Sequence, residues 1–353
     1  MDLDAIADLS QADPGGMLAV LWNLPEQCQE AWRIGMETGF ERRGKIEQVV
    51  VTGLGGSAIG GDLLRVYAQK EAPLPVLVNR DYHLPAFVGP QTLVFAVSYS
   101  GNTEETLSAY QDARTRGAAI VVITTGGVLA ERAKQDGVPL LLIPGGISPR
   151  AATGYLFLPT VALLQRMGLL PDSTAGVEET VAVLKDMRQQ LGPHSPEISN
   201  PAKQLARRFF NRLPVIYGSS GTTETVAMRW KGQINENSKA MAYFNVFPEL
   251  NHNEIVGTER PLNLLRELEL VFLCDPDDHP RVKARLKITR DLIRERVGGI
   301  TEVHARGESR LARSYSLIYL GDYTSVYLAL LYGIDPTPVR LIDALKKRLS
   351  DAC

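Results

Sequence analysis

The stretch Val49-Val-Val-Thr-Gly-Leu-Gly-Gly-Ser-Ala-Ile-Gly-Gly-Asp-Leu-Leu64 reads as an apolar strand, a glycine loop with one serine, and the opening turns of an amphipathic helix. The first amides of such a helix have no partners within it and carry the positive end of its dipole, so the loop is built to meet an anion. Gly53 to Ala58 also satisfies the relaxed G-x-G-x-x-G/A fingerprint of a dinucleotide site, with Asp81 after the next strand as a ribose ligand. This stretch alone therefore leaves two occupants open, a dinucleotide and a smaller phosphate.

Further apolar strands are expected at LPVLVN, TLVFAVS, AIVVITT and VPLLLIP, with helices between most of them. Short, wholly apolar strands alternating with helices predict a parallel sheet covered on both faces. An amphipathic helix over 17–40 is expected to pack outside this unit, and a helix over 150–167 to close it. Proline, glycine and serine then cluster at PDSTAGVEET and LGPHSPEISNP, on either side of a bridging helix. Beyond them LPVIYGSSGTTETVAMRWKGQINENSK repeats the opening order of strand, hydroxyl loop and long helix, which reads as an internal duplication. Strands at MAYFNVF, LELVFLC and ITEVHA and helices over 280–297, 309–332 and 338–349 complete a second doubly wound unit. The expected division is a helical segment over 1–45, a first domain over 46–170, a linker over 171–199 and a second domain over 200–353.

A chain of 353 residues with a formal net charge of −2 has no basic field to gather nucleic acid or anionic lipid. No apolar run approaches the roughly 20 residues that span a bilayer, and the acidic start MDLDAIADLS lacks the basic region of a secretory signal, so a cytoplasmic location is expected. Cys28, Cys274 and Cys353 are odd in number and far apart, which fits reduced thiols. The five histidines show no metal-ligand spacing, and neither metal nor cofactor is expected.

Ser98-Tyr-Ser-Gly-Asn-Thr-Glu-Glu105 decides between the two occupants. Its three hydroxyls, Ser98, Ser100 and Thr103, and a glycine that bares backbone amides sit at a strand-to-helix turn. With Gly56 and Ser57 on the neighbouring loop they make a crevice able to hold one phosphate without a lysine. A dinucleotide has no need of this second loop. The plain alternative is a serine-threonine helix cap without a ligand.

GGSAIGGD followed by SYSGNTEET resembles the sugar-isomerase (SIS) fold, whose S-x-S-G-x-T loop holds the phosphate of a phosphosugar. PRAATGYLFLP, INENSK, PELNHNEIVG and GIDPTPVRLIDALKKRL, in that order, resemble the bifunctional phosphoglucose/phosphomannose isomerase family over nearly the whole chain. The resemblance implies two SIS domains and an aldose-ketose isomerase that interconverts glucose 6-phosphate and mannose 6-phosphate with fructose 6-phosphate through an enediolate, in a homodimer and without a metal. The alternatives are a non-catalytic phosphosugar-binding regulator and an isomerase of another sugar phosphate, such as an aminated one.

Moving a carbonyl between C1 and C2 requires ring opening, a base for the C2 proton and positive groups beside the enediolate oxygens. The resemblance makes Glu236, near the end of the long second-half helix, the base; its ordinary alternative is an exposed helix-end glutamate. His252 lies in a dense polar turn where an imidazole can serve ring opening, and in the family the matching histidine reaches the partner's site. Arg150 follows a strand and a Gly-Gly turn, a place where a fixed cation can stabilise the enediolate or simply face solvent. Lys346 resembles the family's C-terminal active-site lysine, with Lys347 beside it as the other possible register and a basic helix end as its plain reading.

Overall fold

The computed structural model describes residues 1–39 and 44–351. Phe40, the expected end of the first long helix, and Cys353 lie outside the described residues. The N-terminal segment forms three helices, α1 (Ile6–Ala12), α2 (Met17–Trp22) and α3 (Leu24–Glu37). The single helix expected from Met17 onward is thus two: Pro25 sits in the first turn of α3, where its missing N–H costs nothing, and it starts a new helix rather than continuing the old one. Nor does α3 lie outside, since it packs against two later helices and buries Cys28 and Ala31 completely.

The first sheet alternates β1 (Gln48–Thr52), α4 (Gly56–Ala68), β2 (Val76–Asn79), β3 (Thr92–Val97), α5 (Glu104–Thr115), β4 (Ala119–Thr124), α6 (Gly127–Gln135) and β5 (Leu140–Leu142). All its strands are parallel, in the order β2-β1-β3-β4-β5. A 3-10 turn at Pro149–Ala151 leads into α7 (Thr153–Arg166), followed by α8 (Thr174–Leu191) and α9 (Pro201–Phe209). The second half continues with β6 (Leu213–Ser219), α10 (Glu224–Ser238), β7 (Tyr243–Phe247), a 3-10 turn at Glu249–His252, α11 (Glu254–Gly257), α12 (Leu262–Leu265), β8 (Leu268–Cys274), α13 (Pro280–Ile293) and β9 (Gly299–His304). Its sheet is again parallel, ordered β7-β6-β8-β9, the same winding without a fifth strand among the described residues. The chain ends in α14 (Arg310–Leu331) and α15 (Arg340–Ser350). None of the helices among the described residues is long and apolar enough to cross a membrane.

Period-2 alternation explains the layering. On β1, Val49 and Val51 face one side and Val50 the other. The inner faces of both sheets, with Phe95, Val97, Ile216 and Leu273, share one continuous core with α3, α4, α7, α8, α10 and α14. The outer faces are capped separately, the first by Ala109, Tyr110 and Leu129 of α5 and α6, the second by Leu286 and Ile293 of α13. Two doubly wound α/β units thus meet through a common helical layer, in which the buried Trp230 of α10 donates its indole N–H to Leu317 O of α14 at 2.9 Å.

Candidate active site

In a sheet of order 2-1-3-4-5 the winding reverses between β1 and β3, and the crevice beyond those strand ends is where such folds bind ligands. The loops that follow β1 and β3 are the two anion-ready loops. They touch: the amide of Tyr99 donates to Ser57 Oγ at 3.3 Å. Ser98 is buried, shares a hydrogen bond with Thr103 Oγ1 at 2.9 Å and accepts from the Gly101 amide at 3.1 Å. Thr103 caps α5 in position but makes no side-chain capping bond; its hydroxyl is turned to Ser98 instead. Ser100 is exposed and accepts from the Asn102 amide at 3.3 Å. Gly101 holds φ +71, and a Cβ there would stand 1.8 Å from Gly126 O, so no other residue fits.

The glycines of the first loop serve approach. A Cβ on Gly56 would meet Pro149 O at 2.7 Å and Arg150 Cα at 3.4 Å, so the phosphate loop lies directly against the segment that carries Arg150. Arg150 is only 4% exposed, which excludes the solvent-facing alternative. Its Nε donates to Asn237 Oδ1 at 2.5 Å, and its Nη2 donates to Pro336 O at 2.8 Å and Thr337 O at 2.9 Å. Its Nη1 stands 3.6 Å from Glu236 Oε2, an ion-pair distance longer than a hydrogen bond. Burial pulls the guanidinium pKa down and Glu236 opposes that shift, but arginine remains charged across the working range. Glu236, 32% exposed, sits in the last turn of α10 and lines a cavity of about 620 Å³ bounded by the start of α15.

Contacts therefore run from Ser98 and Thr103 through Ser57 and Gly56 to Arg150 and Glu236. His252 and Lys346 stand apart. His252 is exposed and its side chain makes no hydrogen bond or ion pair among the described residues, although its loop is firmly held. On one side Asn251 Nδ2 donates to Thr289 Oγ1 at 2.8 Å; on the other Tyr217 Oη donates to Glu254 Oε1 at 2.5 Å, and Asn245 bonds the same carboxylate. Lys346 is exposed on α15, where none of the described side chains is buried and Leu341, Leu345 and Leu349 are turned outward.

Residues 45–138 match the SIS domain family, and residues 198–349 match the bacterial phospho-glucose isomerase C-terminal SIS domain. A bifunctional phosphoglucose/phosphomannose isomerase from Caldicellulosiruptor bescii is 55% identical over 95% of this chain and 99% of its own. The chain belongs to the bifunctional phosphoglucose/phosphomannose isomerase family. A second relative so named, from Aquifex aeolicus, is 39% identical over 85% of this chain and 90% of its own. A glucose-6-phosphate isomerase like protein from Thermus thermophilus shares the fold, with a TM-score of 0.66 at 22% identity over 97% of this chain and 99% of that one.

Behind Arg150 lies a buried polar network that no sequence motif singles out. Asp322 is a lone acid in an apolar helix, and it is buried. It accepts from Arg229 Nη2 at 2.6 Å and from Gln233 Nε2 at 2.9 Å, while Arg229 Nη2 also donates to Arg150 O at 2.9 Å. Asn237 Nδ2 donates to Ser325 Oγ at 2.9 Å while its Oδ1 accepts from Arg150. A charged residue inside an otherwise apolar run was the available signal, since such a group is buried only with a partner.

Proposed function

We propose that this chain is an aldose-ketose isomerase that interconverts glucose 6-phosphate and mannose 6-phosphate with fructose 6-phosphate. The observation that carries the reading is a buried Arg150 ion-paired with Glu236 beside the Gly56 loop. In this reading Gly56, Ser57, Ser98, Ser100 and Thr103 hold the phosphate through hydroxyls and helix-terminal amides. Glu236 moves the proton between C2 and C1, and Arg150 stabilises the enediolate charge. Forming the planar enediol erases the configuration at C2, so one base serves both aldoses.

His252, held in its loop yet without a partner among the described residues, is assigned to the site of a second subunit, where its imidazole opens the sugar ring. The outward apolar face of α15 fits the same homodimer, and Lys346 is placed at the sugar through that helix. The domain limits 46–170 and 200–353 and a cytoplasmic location belong to the same proposal.

A coupled assay with purified protein and chelator tests it. Formation of fructose 6-phosphate from both aldoses, abolished in Glu236→Gln with substrate binding retained, is expected. Absence of conversion of either aldose and of glucosamine 6-phosphate overturns the enzyme reading and favours a binding module; conversion of glucosamine 6-phosphate alone favours the aminated-sugar alternative.

A further inference from the structure

We propose that Lys239 is a positioning residue of this site: its ammonium ties the end of α10 to the 335–337 turn, holds Glu236 and Arg150 in place, and sets the alkaline limit of turnover. The inference rests on the roles of Glu236 and Arg150 proposed above.

Lys239 caps α10 with φ 52 and ψ 28, the left-handed conformation that helix ends usually give to glycine. From there its side chain turns back over the end of the helix. Nζ donates to Asn237 O at 3.1 Å, Asp335 O at 3.0 Å and Pro336 O at 2.7 Å. An ammonium has three N–H donors, so its whole capacity is used. Pro336 O also accepts from Arg150 Nη2, so the two cations grip one turn through a shared carbonyl. That turn leads into α15, and Lys239, Glu236 and Asp335 line the same cavity.

The tie depends on a proton. A neutral amine keeps two N–H groups and gains a lone pair, which one of the three carbonyls would then face. Burial and the Arg150 charge push the ammonium pKa down to about 8, against the opposing pull of Asp335 and Glu236. Arg150 reaches it from the 3-10 turn, Asp335 from the 335–337 turn and Glu236 from its own helix, while Arg340 at the head of α15 lines the cavity. The proton is thus lost within the range where an isomerase is assayed, and the turn that fixes Arg150 loosens with it.

The pH dependence of kcat in wild type, Lys239→Arg and Lys239→Met tests this. Wild type is expected to lose kcat above pH about 8, and Lys239→Arg, whose guanidinium does not titrate there, to move that limb up by more than about one unit. Lys239→Met is expected to lose about tenfold in kcat at neutral pH, the size of a modest misplacement, with KM for fructose 6-phosphate changed less than about threefold because the phosphate loops are untouched. A lower unfolding midpoint with kcat and the alkaline limb unchanged in both variants would show a merely structural lysine and overturn the inference. If Lys239→Met does not fold, the limb in Lys239→Arg decides alone. Glu236→Gln, run beside them, separates the layers: turnover retained there overturns the reading of the site, whereas turnover abolished there with both lysine variants keeping the wild-type limb overturns only the role of Lys239.

Discussion

Arg150 Nε lies 2.5 Å from Oδ1 of Asn237, the residue next to Glu236, so the guanidinium is keyed to the helix of the other half of the chain. Its remaining donors meet the carbonyls of Pro336 and Thr337. Arg150 thereby joins the first phosphate loop, which its backbone packs against, to α10 and the turn before α15, which its side chain bonds. Arg150→Met is expected to lose about 3 kcal/mol of stability in urea unfolding, because it leaves buried acceptors without donors. Arg150→Lys keeps the charge but not the fork, so it should retain part of that stability while turnover falls about 10²-fold, the usual cost of misplacing a charge-stabilising group. Turnover within threefold of wild type in Arg150→Lys would remove the guanidinium from the reaction.

Gly101 gives a test of the phosphate crevice. Any Cβ there collides with Gly126 O, and the Ser98–Thr103 pair rests on the same loop. Gly101→Ala should therefore raise KM by more than about tenfold and weaken inorganic phosphate binding in calorimetry, the loss expected when even one charge-assisted hydrogen bond is misaligned. The global unfolding midpoint should move much less, since the loop lies at the strand ends rather than in the core. Unchanged phosphate affinity in a folded Gly101→Ala variant would move the anion elsewhere.

The first sheet was legible because its strands are short runs dominated by Val, Ile and Leu, a pattern that admits one answer once helices alternate with it, and the second followed from the repeated order of strand, hydroxyl loop and long helix. The break at Pro25 was harder to see, since the apolar periodicity runs through it and only the helix-start preference of proline marks the division. Ser98 and Thr103 could be selected from their spacing, but their hydrogen bond to each other could not, because hydroxyl partners depend on a rotamer. Glu236 was named by resemblance rather than by pattern, as an exposed helix-end glutamate reads identically. The Arg229–Asp322 pair and the Lys239 tie were missed for one reason: each joins residues some 90 or more positions apart, and no local window contains both partners.

Lys203 offers a pH-dependent prediction remote from the site. Its side chain is fully buried, and Nζ donates to Asp4 Oδ1 at 3.0 Å and Pro193 O at 2.9 Å, which fastens the N-terminal segment to α9. The hydrogen bond from Lys203 holds the Asp4 carboxyl pKa below its ordinary 3.8. A depressed carboxyl pKa stabilises the fold above the unfolded value, and that stability is lost as pH falls through the folded value. Wild type should accordingly lose an increment of stability below pH about 4 that Asp4→Asn lacks. Asp4→Asn itself should cost about 2 kcal/mol at neutral pH, less than the 3–5 of a wholly buried pair because Asp4 faces solvent. Parallel acid unfolding curves for the two proteins would contradict the assignment.

A division of the site between subunits makes the strongest demand on the proposed assembly. His252 stands free of Glu236 in its own chain, while its neighbours Asn251 and Glu254 are bonded to Thr289, Tyr217 and Asn245. In the proposed assembly a side chain presented from so firm a loop, without a partner among the described residues, acts on the site of the second subunit. Glu236→Gln and His252→Ala homodimers should each be nearly inactive. Mixed after reversible dissociation, they form heterodimers in which one site receives both intact residues and the other neither, and the statistical maximum is one restored site in half of the dimers. Recovery of about a quarter of wild-type activity is therefore expected, following the isologous geometry of a two-fold dimer. Heterodimers verified by differential tags that stay inactive would overturn the division of the site between subunits.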